Sequence, residues 1–252
     1  MVKFKNLTEN DDVTVKIENG NMRVLEYRRD LSVTSNSAQN AYYMAKMGVR
    51  KKQLLLNLDG TNTFIVQAGA MQWMAGKIQM TTGIKGAGDL IKKSIGGRVT
   101  GESTVKPEYK GFGQVMLEPT YKHILIEEVG KWGGLVLTDG MFLACDGTVQ
   151  QKVVARKNIS SATLGGEGLF NLCLRGNGLA ALESPVPREE LIAFVLDNDE
   201  VKIDGPYAVA WSESLDFTVE RSSRSLIGSA AAGEGLVNVY RGSGVVLMAP
   251  VG

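Results

Sequence analysis

Histidine, cysteine and proline are all scarce in this chain, and each shortage removes a class of explanation. There is one histidine, His123, with no Cys, Asp or His at ligand spacing around it, so the sequence carries no metal-binding signature. Two cysteines, Cys145 and Cys173, each sit inside an apolar run. They read as buried, reduced thiols in a cytoplasmic protein, not as a disulfide framework. Six prolines stand against thirty glycines, a balance that favours many tight turns over disorder. No run approaches the ~18 consecutive apolar residues of a membrane helix, and the opening MVKFKNLTENDDV has no apolar core of a signal peptide. The formal net charge is +1, which excludes a global pull toward nucleic acid or anionic lipid.

What the sequence does contain is repetition. Residues 109–119 (YKGFGQVMLEP), 174–185 (LRGNGLAALESP) and 240–250 (YRGSGVVLMAP) share a basic residue, Gly-x-Gly, an apolar run and a closing Pro. Upstream of each lies a Gly-Glu pair, and Glu102, Glu167 and Glu234 stand 65 and 67 residues apart. Each copy opens on an apolar strand, a turn and a second strand ending in Gly: residues 54–69, 124–140 and 191–205. A further apolar strand follows in each copy (MQWMAG, MFLACDG, YAVAWSES). Short runs rich in Val, Ile, Leu and aromatics, punctuated by Gly, Asp and Asn, predict an all-β protein. Gly-x-Gly between two such runs predicts a hairpin turn, because Gly adopts positive φ without steric cost. The predicted organisation is an N-terminal extension over 1–52 and three β units over 53–120, 123–186 and 191–251. A unit of about 65 residues buries a thin core alone, so packing against its siblings is expected.

Three features stand outside the repeat. Val13–Tyr27, with a turn at Asn19-Gly20-Asn21, predicts an added hairpin. Residues 36–47 place Ala38, Ala41, Tyr42 and Ala45 at helical spacing, with Gly48 as the stop. Residues 86–96 predict a second short helix, capped by Asp89.

The motifs GGRVTGEST, GGEGLFNLCLRGNGLAALES, VKIDGPYAVAWSESLDFTVER and GEGLVNVYRGSGVVLMAP resemble the altered-inheritance-of-mitochondria (mitochondrial biogenesis) family, from about residue 53 to the end. That resemblance implies three tandem β-sandwich units of the short double-stranded β-helix type, similar to the tryptophan RNA-binding attenuation protein (TRAP-like), in pseudo-threefold arrangement. It brings no catalytic residue, because the family has no accepted catalytic motif.

The candidate functional positions are therefore the repeated acid–base pairs: Glu102 with Lys110, Glu167 with Arg175, and Glu234 with Arg241, at spacings of 8, 8 and 7. Even spacing puts both members on one face of a strand. They read as structural ion pairs or edge charges, or as a charged ring able to hold an anionic ligand or a partner. His123 reads as a strand-edge residue. The Gly83–Asp89 stretch fails the dinucleotide fingerprint, since Asp89 and Leu90 stand where Gly should follow. Lys46, Arg50, Lys51 and Lys52 beside Tyr42 and Tyr43 read as a solvated helix end, with single-stranded nucleic acid as the functional alternative. Trp73, Trp132 and Trp211 read as core or interface residues. The sequence thus predicts a non-enzymatic structural or interaction protein that forms homo-oligomers or binds a protein partner. It predicts no cofactor, catalytic group or metal site, with a small-molecule- or RNA-binding module as the alternative.

Overall fold

A computed structural model describes residues 2–29, 32–82, 106–155, 170–204, 207–221 and 236–251. Among the described residues, fifteen strands form two sheets, one of eight strands and one of seven. No helix among the described residues is long and apolar enough to cross a membrane.

The predicted N-terminal hairpin is present as β1 (Val13–Asn19) and β2 (Met22–Tyr27), closed at Gly20 with φ +54°. It continues onto β3 (Lys52–Val66), where Met22 faces Leu56 and Glu26 faces Lys52. The β3 run Leu54–Leu56 is buried on both of its faces. Leu54 and Leu56 point into one core, with Phe64 and Val115. Leu55 points the other way, into a smaller core with Val13, Leu25 and Met116. The extension therefore covers an apolar face that would otherwise meet water.

The next strands are β4 (Met71–Thr81), β5 (Glu108–Leu117), β6 (His123–Glu128), β7 (Leu135–Leu137), β8 (Phe142–Asp146) and β9 (Gln150–Ala155). They are followed by β10 (Phe170–Arg175), β11 (Leu179–Ser184), β12 (Ile192–Asp204), β13 (Ala208–Ser212), β14 (Asp216–Arg221) and β15 (Leu236–Met248). β5 lies between β3 and β4, and β15 between β12 on one side and β13 and β14, in succession, on the other. Residues 123–186 are shared between the sheets. β6, β8 and β11 join the first sheet, where β8 pairs with β3; β7, β9 and β10 join the second, where β7 pairs with β13. The largest core collects side chains of both sheets, among them Leu125, Leu182, Leu137, Leu174 and Leu247.

Two turn predictions need correction. The openings read as strand–turn–strand are continuous strands in the first and third copies. In β3 the pairing with β5 slips between Asp59 and Thr63. The Asp59 carboxylate accepts the Thr61 N–H at 2.9 Å and the Asn62 N–H at 3.1 Å, so the turn residues make a bulge without reversing the chain. β12 slips likewise between Leu196 and Asp199, with Asn198 at φ +52°. In the second copy a 3-10 turn (Val129–Trp132) separates β6 from β7.

The Gly-x-Gly motifs are not hairpin turns either. Gly111 and Gly113 lie inside β5, and Gly242 and Gly244 inside β15. Gly176–Gly178 links β10 to β11, which belong to different sheets. Positive φ is indeed used, but for close backbone approach. A Cβ on Gly111 (φ +126°) would stand 2.1 Å from the Lys77 carbonyl oxygen across the ladder.

The predicted helix is α1 (Ala38–Lys46), ending at Gly48 with φ +79°. The helix predicted over 86–96 lies outside the described residues.

Candidate functional site

The three repeated cations meet different surroundings, although each stands directly before Gly-x-Gly on a strand. Arg241 on β15 faces Glu200 on β12 and Asp216 on β14. Its guanidinium reaches Glu200 at 2.5 Å and clamps both oxygens of Glu220 at 2.6 and 3.0 Å. That clamp, with a hydrogen bond from Thr218, holds the Glu220 carboxyl down at about 2. Arg175 on β10 is bidentate to Glu213, its Nε donating at 2.5 Å. Glu213 follows β13, so this pair ties residues 123–186 to residues 191–251. Gly134 makes room for it: a Cβ there would stand 2.5 Å from a Glu213 oxygen. Arg175 holds the Glu213 carboxyl below its ordinary range.

Glu102, Glu167 and Glu234 lie outside the described residues, as does Gly83–Asp89. The described acids on Arg175 and Arg241 are Glu213, Glu200 and Glu220, which the repeat alignment does not pick out. Glu200 stands opposite Arg241 in strand register, whereas Glu220 lies four residues along β14 from the register partner Asp216 and Glu213 lies just beyond β13.

Lys110 on β5 is exposed and faces Thr63 on β3 and Gln79 on β4, both neutral, where Arg241 faces two acids. With Lys77, Thr61 and Asn62 these residues line an open cleft of about 610 Å³ between the β3 bulge and the β4–β5 ladder. No ion pair among the described residues includes Lys77 or Lys110. The Phe112 ring, 63% exposed, folds over Gly60 beside it.

The remaining candidates have structural settings. His123 begins β6 opposite Ser184, and burial, followed by the charge of Lys52, lowers its pKa. Lys52 is only 4% exposed, so it is no part of a solvated helix end. Its ammonium is 3.8 Å from Glu26 and donates to the Arg50 carbonyl at 3.0 Å. Cys145 and Cys173 are buried free thiols, and burial pushes both up to about 12. Such thiols are poor nucleophiles. Trp211 is buried, edge-on to Tyr240 at 5.2 Å; Trp73 stacks on Phe4 at 5.2 Å, and Trp132 packs against the largest core. Tyr42 and Tyr43 on α1 are both exposed. No cluster of three or more His, Cys, Asp or Glu side chains fit to hold a metal occurs among the described residues.

Comparison with known proteins places these features in context. The family model described as mitochondrial biogenesis AIM24 matches residues 45–251. An uncharacterized protein of Streptococcus pyogenes serotype M6 is 32% identical over 199 residues, covering 76% of this chain and 78% of the relative. The crystal structure of another Streptococcus pyogenes protein superposes with a TM-score of 0.61 at 26% identity, over 91% of this chain and 94% of that one.

Proposed function

The chain belongs to the mitochondrial biogenesis AIM24 family, and from that premise we propose that it is a non-enzymatic structural or interaction protein that self-associates. One observation carries this reading: two long strands, β4 and β12, stand at sheet edges and expose apolar side chains. Among the described pairings β4 bonds only to β5, and β12 only to β15. Met74 and Met80 on β4, and Ile192 and Val195 on β12, are exposed, Val195 by 78%. Unpaired edge groups beside exposed apolar side chains are a template for a further strand. The shared arrangement of the outer thirds, β5 between β3 and β4 and β15 between β12 and β13, supports pseudo-symmetric TRAP-like units. The buried, unlinked thiols are compatible with a reducing cytoplasm.

Light scattering on the purified chain tests the proposal. A mass two or more times that of the monomer is expected, falling toward the monomer in Val195→Lys and Met80→Lys. A strict monomer, or turnover in a broad hydrolase screen, overturns it.

The cleft beside Lys110 favours a second reading, a small-molecule-binding module. Its two lysines, amides and hydroxyls suit a polar ligand with an anionic group. Native mass spectrometry of gently purified protein checks this, with retained small-molecule mass expected and loss of that mass in Lys110→Gln. RNA binding has less support, because the described basic side chains Arg175 and Arg241 are already engaged by carboxylates.

A further inference from the structure

The geometry points to a head-to-tail joint between two copies of this chain, in which β12 of one lies antiparallel along β4 of the next, with Val201 opposite Ala75 and Ile203 opposite Trp73. It rests on the self-association proposed above and names the surfaces, the register and the symmetry. The same joint is made twice inside the chain. In one, Phe64, Ile65 and Val66 on β3 face Asp146, Cys145 and Ala144 on β8. In the other, Leu135, Val136 and Leu137 on β7 face Ser212, Trp211 and Ala210 on β13. Matching backbone bonds flank both. At one end Gly147 N–H donates to the Thr63 carbonyl, and Glu213 N–H to the Gly134 carbonyl, each at 2.8 Å. At the other end Gln67 N–H donates to the Leu143 carbonyl at 2.8 Å, and Thr138 N–H to the Val209 carbonyl at 3.1 Å.

The strands that carry Gly-x-Gly fix the correspondence. Phe64 faces Tyr109, Leu135 faces Leu174 and Val201 faces Tyr240, each of these partners standing directly before the basic residue of its motif. Trp73 faces Met116, Ala144 faces Ala181 and Ala210 faces Leu247, each partner five residues past the first glycine of its motif. A third joint therefore has both halves in place: Val201–Ile203 on β12 and Trp73–Ala75 on β4. Among the described pairings β12 bonds only to β15 and β4 only to β5, so the two halves do not close on each other within the chain. Unpaired edge N–H and C=O groups take up a strand of matching register.

Charge favours β4 as the partner of β12. Counting on in the same register sets Asp199 against Lys77, both exposed and in no ion pair among the described residues. β12 carries Asp197, Asp199, Glu200 and Asp204 against one lysine, whereas β4 has Lys77 and no acid. Two β12 edges would bring like charges together, while β12 on β4 joins opposite ones. One position departs from the joints already made. Lys202 falls opposite Met74, where those joints have Ile65 with Cys145 and Val136 with Trp211. A lysine stem covers a methionine while its ammonium stays wet, so the joint between copies is expected to be the weakest of the three and to part on dilution.

Mild oxidation of the whole chain carrying Lys77→Cys or Asp199→Cys tests the joint. Neither variant is expected to link alone, and an equal mixture of the two is expected to give a covalent dimer. In light scattering, Lys77→Glu and Asp199→Lys should each raise the concentration at half-assembly by about fivefold or more, and the double variant K77E/D199K should restore the parent value. Linking of Asp199→Cys with itself would mean β12 on β12, and a link at monomer mass in a chain carrying both cysteines would mean closure within one chain. Either result overturns the assignment. So does an oligomer whose mixed cysteines stay unlinked and whose charge reversals change nothing, self-association then standing without this joint. A strict monomer removes both.

Discussion

Lys52 and Glu26 show what a single charged pair costs when strand pairing forces it inside. Their strands face each other, so the two side chains share one buried space. Burial lowers the Lys52 pKa more than Glu26 raises it. Removing only the carboxylate leaves an uncompensated ammonium, so Glu26→Ala is expected to cost about 3 kcal/mol in denaturant unfolding. Lys52→Met removes the buried charge itself and leaves the carboxylate closer to water, so it should cost less than about 1 kcal/mol. Glu220 gives a pH-dependent counterpart. Its folded pKa of about 2 lies below the ordinary carboxyl value of 4.5, so its contribution is fully present above pH 4.5. That contribution fades as pH falls toward 2. Glu220→Gln should therefore lower the melting temperature at pH 7 and flatten its decline between pH 4.5 and 2. Both ends of this pair are partly exposed, so the effect stays small.

The glycines of β4 and β5 make the same argument for an element. Gly76 faces Gly113 across the ladder, and a Cβ on Gly113 (φ +147°) would stand 2.0 Å from the Ala75 carbonyl oxygen. Gly111→Ala and Gly113→Ala are expected to destabilise by about 1–3 kcal/mol or more, because conformational strain and a backbone clash add. Gly69→Ala meets nothing within 4 Å and carries only the strain of φ +81°. Thermal melts of the three variants check that order. These glycines also mark where sequence reading stops. The β1–β2 hairpin, the presence of α1 and the burial of Cys145, Cys173 and Trp211 were legible, because local pattern and composition determine them. Gly-x-Gly was legible as a demand for positive φ but not as a bend, since a hairpin turn and a close strand crossing make the same local demand. The described acids around Arg175 and Arg241 were not legible, because they are neighbours in space and not along the chain.

At the scale of the molecule, the middle third of the chain decides how the parts cohere. β10 and β11 are separated by only Gly176–Gly178, yet one pairs in the seven-stranded sheet and the other in the eight-stranded sheet. The largest core draws on both: Leu182 with Leu125 from one sheet, Leu174 with Leu137 and Leu247 from the other. Neither sheet can lose its order without stripping the other of buried apolar area. The chain should therefore unfold in one calorimetric transition, with van't Hoff and calorimetric enthalpies in agreement if the protein is held monomeric. Leu182→Ala and Leu247→Ala, on opposite sheets, should each cost about 2–5 kcal/mol and shift that same transition. Two separated transitions, with each variant moving only one of them, would mean that the shared core does not couple the sheets. The Arg175–Glu213 bridge crosses the same junction but at a partly exposed site, so Glu213→Gln should move the transition by far less than either leucine. Cohesion of the scaffold is thus assigned to buried leucines, with the Arg175–Glu213 pair as a minor tie at the surface.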